Sequence, residues 1–397
     1  MIVHLGRGRT LSYQPLRGAA VPAARRFDAL FSNLDYNGGP VMPSNTNYSL
    51  YWAPAGSPQY PSDYQSGVNR YFEDIAHDSK GEANVESVSA QYNDAAGEFA
   101  NYNSYFAEAL LDTDPYPANG CKAAPICLTD AQLQTEIAKF VKAHALPRGL
   151  TTEYFLLTPP GVEDCFEPGG TQCSAGSSKP AYCAYHGDIP TGGGVIIYAN
   201  DPYVTGNARC DDGNHPNEST ADGVIEGGLS HEHNESITDP EPNSAWADMS
   251  HEGEESGDKC RNVGPSAEFG TPLGKAPNGA SYNQLIDGHE YWYQQEWSNQ
   301  GNECLQRLTF TGERPAATFK ASAGAGDEIK LDATESTAPG GVFRYSWQFN
   351  DGLSTPVETT SPSINHTFPS HGTYTVALTV FASDGSSSGT ARSVIVN

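Results

Sequence analysis

His231 and Glu235 stand four residues apart in the run Leu229-Ser230-His231-Glu232-His233-Asn234-Glu235. On a helix this spacing puts both side chains on one face with Cβ atoms about 5–6 Å apart. An imidazole nitrogen and a carboxylate oxygen so placed can close on one metal ion. Glu232 would stand beside that ion, where a carboxylate can take a proton from bound water. A catalytic zinc needs a third protein ligand and keeps its fourth position open. The segment from Asp248 to Cys260 is dense in candidates, and Glu255, 24 residues beyond His231, is the first choice. His251 is the runner-up and Glu254 the third. Asp258 is expected to accept a hydrogen bond from the ring nitrogen of His231 that faces away from the ion, a common role for carboxylates behind zinc-bound histidines. The competing readings are a solvated acidic helix face for the motif, and an open or calcium-binding loop for the downstream segment.

The pattern resembles the zinc-peptidase motif H-E-x-x-H, in which two histidines bind zinc and the glutamate is general base. Glu235 stands where the second histidine would be. Two carboxylates and one imidazole neutralise a divalent ion, so its bound water is polarised less. The fall of the water pKa towards about 7 at strong zinc sites should then be partial. Oxygen-rich ligation also favours harder ions. Zinc is the expected cofactor; calcium is an alternative that no further residues support.

Ala221, Val224, Ile225, Leu229 and Ile237 form an apolar stripe of helical spacing around the motif, and Asp239-Pro240 marks its stop. Gly223, Gly227 and Gly228 lower helix propensity but permit close packing against a neighbour. Upstream, Tyr48–Trp52 and Asn84–Tyr92 read as strands and Asn69–His77 as a short helix. Thr129-Asp-Ala-Gln132 has capping-box spacing and opens a helix running through Ile137, Phe140 and Val141 to Leu146-Pro147. Glu153–Thr158 and Val195–Ala199 are β-rich runs suited to a central sheet. After Gly312 the cysteines stop, and alternating runs recur at short intervals: Ala316–Ala321, Glu328–Asp332, Phe343–Phe349, Ser363–Phe368, Thr373–Phe381 and Arg392–Val396. That is the pattern of an all-β sandwich.

The chain has 397 residues, with 22 Lys and Arg against 48 Asp and Glu, a formal charge of −26. Such a surface disfavours nucleic acid and anionic membranes as partners. No apolar run is long enough for membrane insertion. The eight cysteines, at 121, 127, 165, 173, 183, 210, 260 and 304, form no C-x-x-C pair. An even count without such pairs fits four disulfides, with Cys121–Cys127 and Cys165–Cys173 as local candidates, and hence an oxidising compartment. Met1–Phe27 carries five arginines and no apolar core, so it is no signal peptide. Residues 1–28 read as a disordered leader or pro-like segment, 29–312 as an α+β domain and 313–397 as the sandwich.

Tyr345-Ser-Trp347-Gln-Phe349-Asn-Asp351-Gly352, with His366-Thr-Phe368 and Gly372-Thr-Tyr374-Thr-Val376-Ala-Leu378-Thr-Val380, resembles the signatures of PKD (polycystic kidney disease) domains. The resemblance implies an immunoglobulin-like sandwich acting as spacer or binding module, with Trp347 and Phe349 in its core. Gly38-Gly-Pro-Val41, Cys183-Ala-Tyr-His186-Gly187, Ser230-His-Glu232 through Glu235 to Thr238-Asp-Pro240, Trp246, Glu255-x-x-Asp258-x-Cys260 and Gln295-Glu-Trp-Ser-Asn299 resemble the EXORDIUM-like family of phosphate-induced proteins. That resemblance implies secretion and a zincin-like site at His231, Glu232 and Glu235, but no substrate. His289 and Tyr291 are weighed as oxyanion donors against a packing role. The sequon at Asn234 is expected to go unused, since a glycan there would crowd the metal helix. The expected fold is thus an α+β zincin-like, disulfide-bonded domain followed by an all-β immunoglobulin-like sandwich. The expected function is a secreted zinc peptidase-like hydrolase acting on extracellular polypeptide, with Glu232 catalytic and His231, Glu235 and Glu255 on the metal. The alternative is a non-catalytic protein that binds a cell-surface or cell-wall polymer and keeps a structural metal.

Overall fold

The computed structural model describes residues 1–19, 32–251, 253–262, 268–310 and 313–397. Twelve strands are needed below: β1 (Ile2–His4), β2 (Thr10–Pro15), β3 (Asp35–Tyr36), β4 (Asn45–Trp52), β5 (Ser104–Asp112), β6 (Ile126–Thr129), β7 (Thr152–Thr158), β8 (Val162–Cys165), β9 (Cys173–Ser174), β10 (Pro180–Thr191), β11 (Gly194–Pro202) and β12 (Trp246–Ala247). A ten-stranded sheet runs β5-β4-β7-β11-β10-β9-β8-β6, with β2 also paired to β10 and β1 to β2. The strands β5, β4, β7 and β11 are parallel, whereas β10 is antiparallel to β11. Every residue of β7 is buried, as expected of a parallel strand covered on both faces. Because strand side chains alternate, Phe155 and Leu157 join one core with helix α1 (Tyr64–His77). Tyr154 and Leu156 join the other with helix α2 (Asp130–Ala143). The Gln132 side chain accepts from the Thr129 backbone N–H at 2.9 Å, so the predicted capping box forms.

The motif residues lie on helix α3 (Ser230–Thr238), which continues a short turn at Asp222–Val224 through a π-helical stretch, Ile225–Leu229. The glycines of that stretch let it lie directly against the sheet. A Cβ on Gly228 would come within 2.6 Å of the Ala184 Cβ on β10, and one on Gly227 within 2.8 Å of Val204. Helix α4 (Ser256–Asn262) follows and brings the downstream acidic residues back to α3. Disulfides join Cys121–Cys127, Cys165–Cys173, Cys183–Cys210 and Cys260–Cys304. The last anchors α4. Among the described residues, no helix is long and apolar enough to cross a membrane.

The C-terminal sandwich has a three-stranded sheet, Lys320–Ala323, Glu328–Asp332 and Ser363–Thr367. Its four-stranded partner comprises Val342–Gln348, Val357–Thr359, Gly372–Ala382 and Ser387–Val396. Trp347 and Phe349 are in its core, as expected. The sandwich is docked on the larger domain. The Tyr36 N–H donates to Thr379 Oγ1 at 2.7 Å, Asn350 Nδ2 to the Asn37 carbonyl at 2.9 Å, and Asn93 exchanges bonds with the Gly389 backbone at 2.9 and 3.0 Å.

Three expectations need correction. Residues 1–19 are not a disordered leader: Leu11 and Leu16 are buried in the two cores of the large domain, and β1 and β2 extend its sheet. The remainder of the proposed leader, 20–28, and residues 311 and 312 at the proposed boundary lie outside the described residues. Asn84–Tyr92 is no strand but holds a helical turn at Glu86–Ser89, all four of whose residues are buried. Burial on every side erased the alternation that distinguishes a half-exposed strand. Helix α2 ends at Ala143, before Leu146.

The tight fit of α3 against β10 has a measurable consequence. Gly228→Ala is expected to cost about 1–3 kcal/mol through overpacking, read by chemical denaturation. An unchanged midpoint would mean that α3 can move away from β10 freely.

Candidate metal centre

Residues two positions apart on a helix are separated by roughly 200°, so His233 faces away from His231 and Glu235. His233 meets the sheet: Nε2 lies 3.1 Å from Asn45 Oδ1 and 3.2 Å from Asn47 Nδ2 on β4, and its ring stands edge-on to Phe155. Burial pushes its pKa down to about 3, so the ring is neutral. Ser236 donates to Glu153 on β7 at 2.6 Å. Asn234 Nδ2 donates to Glu86 at 3.1 Å, and its complete burial fits the expectation of an unused sequon. With one face of α3 fixed in this way, the other presents His231, Glu232 and Glu235 to β10, β2 and α4.

His231 Nε2 lies 3.2 Å from Glu235 Oε2 and 3.9 Å from Asp258 Oδ1. Its Nδ1 is 3.1 Å from Gln294 Oε1. The Gln294 amide nitrogen donates to the Gly257 carbonyl, and this fixes which end of the amide faces the ring. Gln294 Oε1 therefore accepts Nδ1–H and turns Nε2 towards the carboxylates, the orientation a metal-bound histidine needs. Gly257 permits the approach, because a Cβ there would sit 2.6 Å from His231 Nδ1. The Asp258 backbone N–H donates to Glu235 Oε1 at 2.9 Å, and the α-amino group of Met1 pairs with the Asp258 carboxylate.

From β10, His186 Nδ1 reaches Glu232 Oε2 at 3.0 Å, while Nε2 lies 3.2 Å from the Asp239 carbonyl and 3.6 Å from Glu255 Oε2. The Glu232 carboxylate and the Asp239 carbonyl face the two ring nitrogens, an environment that favours the doubly protonated, charged ring. Burial works against that charge, but Glu232, Glu235 and Asp239 outweigh it and raise the pKa. His231 is raised to about 9: burial alone would lower it, and the adjacent Glu235, with Glu232 and Asp258, overrides burial. Glu235 is drawn down to about 2, its own desolvation being outweighed by His231. Desolvation, reinforced by Glu235, holds Glu255 well above the usual carboxylate range and Asp258 at about 7.

His186, His231, Glu232, Glu235, Glu255 and Asp258 are all fully buried. Donor atoms of His231, Glu232 and Glu235 lie within 4.8 Å of one another, as do those of His186, Glu235 and Glu255. Both oxygens of Glu255 and Asp258 Oδ1 have no hydrogen-bond partner, while His231 Nε2 is turned to Glu235. Unsatisfied buried donors and acceptors are costly, and here they converge around Glu235. One imidazole with two or three carboxylates is a donor set that fits a divalent cation.

The cluster contains His231, Glu232, Glu235 and Glu255 as the sequence suggested. Asp258 faces Nε2 of His231, the nitrogen turned to Glu235, while Gln294 is the acceptor at Nδ1. Neither alternative ligand joins the cluster. His251 Nδ1 is 2.9 Å from Asp248 Oδ2, and Glu254 pairs through its backbone with Asp248. His289 and Tyr291 both bind Asp74, at 2.8 and 2.5 Å, and serve packing. His186 and Gln294 were missed as site residues. His186 lay within a stretch already resembling a family motif, yet no local spacing joins a strand histidine to a helix 45 residues later.

No curated protein matches the chain. Among solved structures, the first PKD domain of Epp from Vibrio anguillarum is 23% identical, with 22% of this chain and 98% of that one covered and a TM-score of 0.19. The corresponding domain of the Vibrio cholerae metalloprotease PrtV is 23% identical, covering 21% and 99%, also with a TM-score of 0.19. OgpA from Akkermansia muciniphila aligns over 93% of this chain and 97% of its own at 10% identity, with a TM-score of 0.26. At these scores none of the three bears on what the chain does. The family model described as PKD domain matches residues 312–396, so the C-terminal sandwich is a PKD-type domain.

Proposed function

We propose that the large domain is a metal-dependent, peptidase-like hydrolase, with zinc as the first-choice ion and extracellular polypeptide as substrate. The observation that carries this reading is the convergence of His231 Nε2 and of unpartnered Glu255 and Asp258 oxygens on Glu235, beside a carboxylate that is not needed as ligand. His231 and Glu235 would hold the ion, with Glu255 as the third ligand and Asp258 as its rival for that place. Bound zinc would supply an acidified water and polarise a carbonyl. Gln294 keeps Nε2 of His231 directed inward. Glu232 accepts the proton of the attacking water. His186 holds Glu232 Oε2, which fixes the carboxylate and leaves Oε1 as the atom that receives that proton. The zincin-like fold and EXORDIUM-like kinship belong to the same proposal and rest on the sequence motifs. Four disulfides and a PKD-type domain support secretion into an oxidising environment.

The complete burial of the cluster favours a second reading, a non-catalytic extracellular or cell-wall protein with a structural metal. Glu232 separates the two. Purified protein is expected to carry one equivalent of zinc by elemental analysis, absent from His231→Ala. Glu232→Gln should retain the metal while cleavage of unfolded polypeptide falls by about 10²-fold or more. Cleavage that survives both chelation and Glu232→Gln would remove the hydrolase reading, and metal retention without any cleavage would favour the structural one.

Gln294 yields a finer prediction. Gln294→Leu removes the acceptor behind His231 without touching the ion, and should weaken zinc binding about 10–100-fold in competition with a chromophoric chelator. Unchanged affinity would show that the ring is oriented by packing alone.

A further inference from the structure

The strand β2 pairs antiparallel with β10, with Ser12 opposite His186, Tyr13 opposite Tyr185, Gln14 opposite Ala184 and Pro15 opposite Tyr182. Without β2, this part of β10 would be a free edge running past Glu232, and a free edge accepts an extended peptide through its main chain. The strand also reaches the candidate catalytic groups. The Gln14 N–H donates to Glu232 Oε1 at 3.2 Å, and Ser12 Oγ lies 3.5 Å from Glu235 Oε2. With His186 on its other oxygen, Glu232 has both oxygens engaged. Leu11 is fully buried against Gly187, where a Cβ would come within 2.7 Å of its Cδ2. The glycine beside His186 thus makes room for a bulky aliphatic side chain. Further along, Arg261 Nε donates to the Pro15 carbonyl at 2.8 Å, and Arg17 pairs with Glu226 at 2.7 Å and Glu268 at 3.1 Å.

We infer that Thr10–Pro15 is a built-in occupant of the polypeptide groove, which holds the site inactive until it leaves β10. The inference rests on the hydrolase reading for its catalytic part, but the groove itself stands on geometry. Its ligand is an extended polypeptide added antiparallel to β10, with a bulky aliphatic residue in the Leu11 position and a small polar one in the Ser12 position. An ordinary sheet strand would account for the buried leucines. It would not account for a backbone donor directed at the one oxygen the proposed base needs.

The test uses the full chain with Gln14→Pro, which deletes the N–H held by Glu232, and Leu11→Asp, which places a charge in the aliphatic pocket. The probe is a fluorescein-labelled peptide with the sequence of residues 10–16, followed by anisotropy, alongside zinc-loaded cleavage of an unfolded polypeptide. Both variants should bind the peptide where the unaltered chain does not, and cleave about tenfold faster or more because more of the protein has an open groove. Peptide binding without cleavage in any form would retain the groove and overturn the hydrolase reading. Cleavage by the unaltered chain as fast as by both variants would overturn the inhibition. Hydrogen exchange on the unaltered chain provides a check free of folding effects. The amides of Leu11–Gln14 should exchange through an opening that leaves β7 protected; protection equal to that of β7 would make β2 a permanent strand and sink the proposal.

Discussion

Glu235 is a carboxylate with no water to share its charge, and the site is arranged around that constraint. It takes the Asp258 backbone N–H on one oxygen and lies against His231 with the other. It belongs to both groups of converging donor atoms. Moving such a charge out of water costs several kcal/mol unless it is paired, and here the groups around it come from separate elements, Ser12 on β2 among them. Helix α3 supplies His231, β10 brings His186 within reach, and the start of α4 supplies Asp258. Four carboxylates face two imidazoles in this space. The α-amino group of Met1 on Asp258, with protons on the carboxylates or a divalent cation, makes up the difference.

The positions of those groups are set by contacts that carry no chemistry. Neutral His233 and Ser236 tie α3 to β4 and β7, and glycines 227 and 228 remove the side chains that would keep it from β10. Gly257 does the same for α4 against His231. The Cys260–Cys304 bridge then limits how far α4 can retreat. The π-helical stretch adds a residue to the turn ahead of Ser230. Such stretches are frequent at functional sites, and here it precedes the motif by a single turn.

Features set by short-range geometry were legible in the sequence. His231 and Glu235 were read correctly as neighbours because helix periodicity alone puts them together. The capping box at Thr129 and the two short disulfides depend on neighbours in the chain as well. Trp347 and Phe349 followed from a PKD resemblance that the family match bears out. What could not be read depends on pairings across the fold. His186 enters through the register of β10, and Gln294 through a segment 63 residues from the ring it orients. The arginine-rich opening of the chain reads as disordered because its polar side chains have partners only in the folded molecule: Arg17 on Glu226 and Glu268, and Arg9 on Asp130. Which ring nitrogen of His231 Asp258 meets is not legible either, because sequence separation says nothing about the side from which a carboxylate approaches a ring.

Two segments dock on the large domain, and their contacts differ in kind. The PKD-type sandwich meets it through bonds such as Tyr36 to Thr379 and Asn93 to Gly389, with Arg344 facing Asp35, over a patch that includes Tyr36, Trp246 and Ala377. Nothing in that contact is needed for another ligand, so it can be permanent. The strand β2 meets carboxylates that a cation, a water or a peptide would also want. Each of its polar contacts at the centre, Gln14 on Glu232 and Ser12 near Glu235, is one that a substrate must replace. An interface built from groups with a competing use is one whose occupancy depends on the competitor, and on the proposed reading this distinction makes the sandwich architecture and β2 a control element.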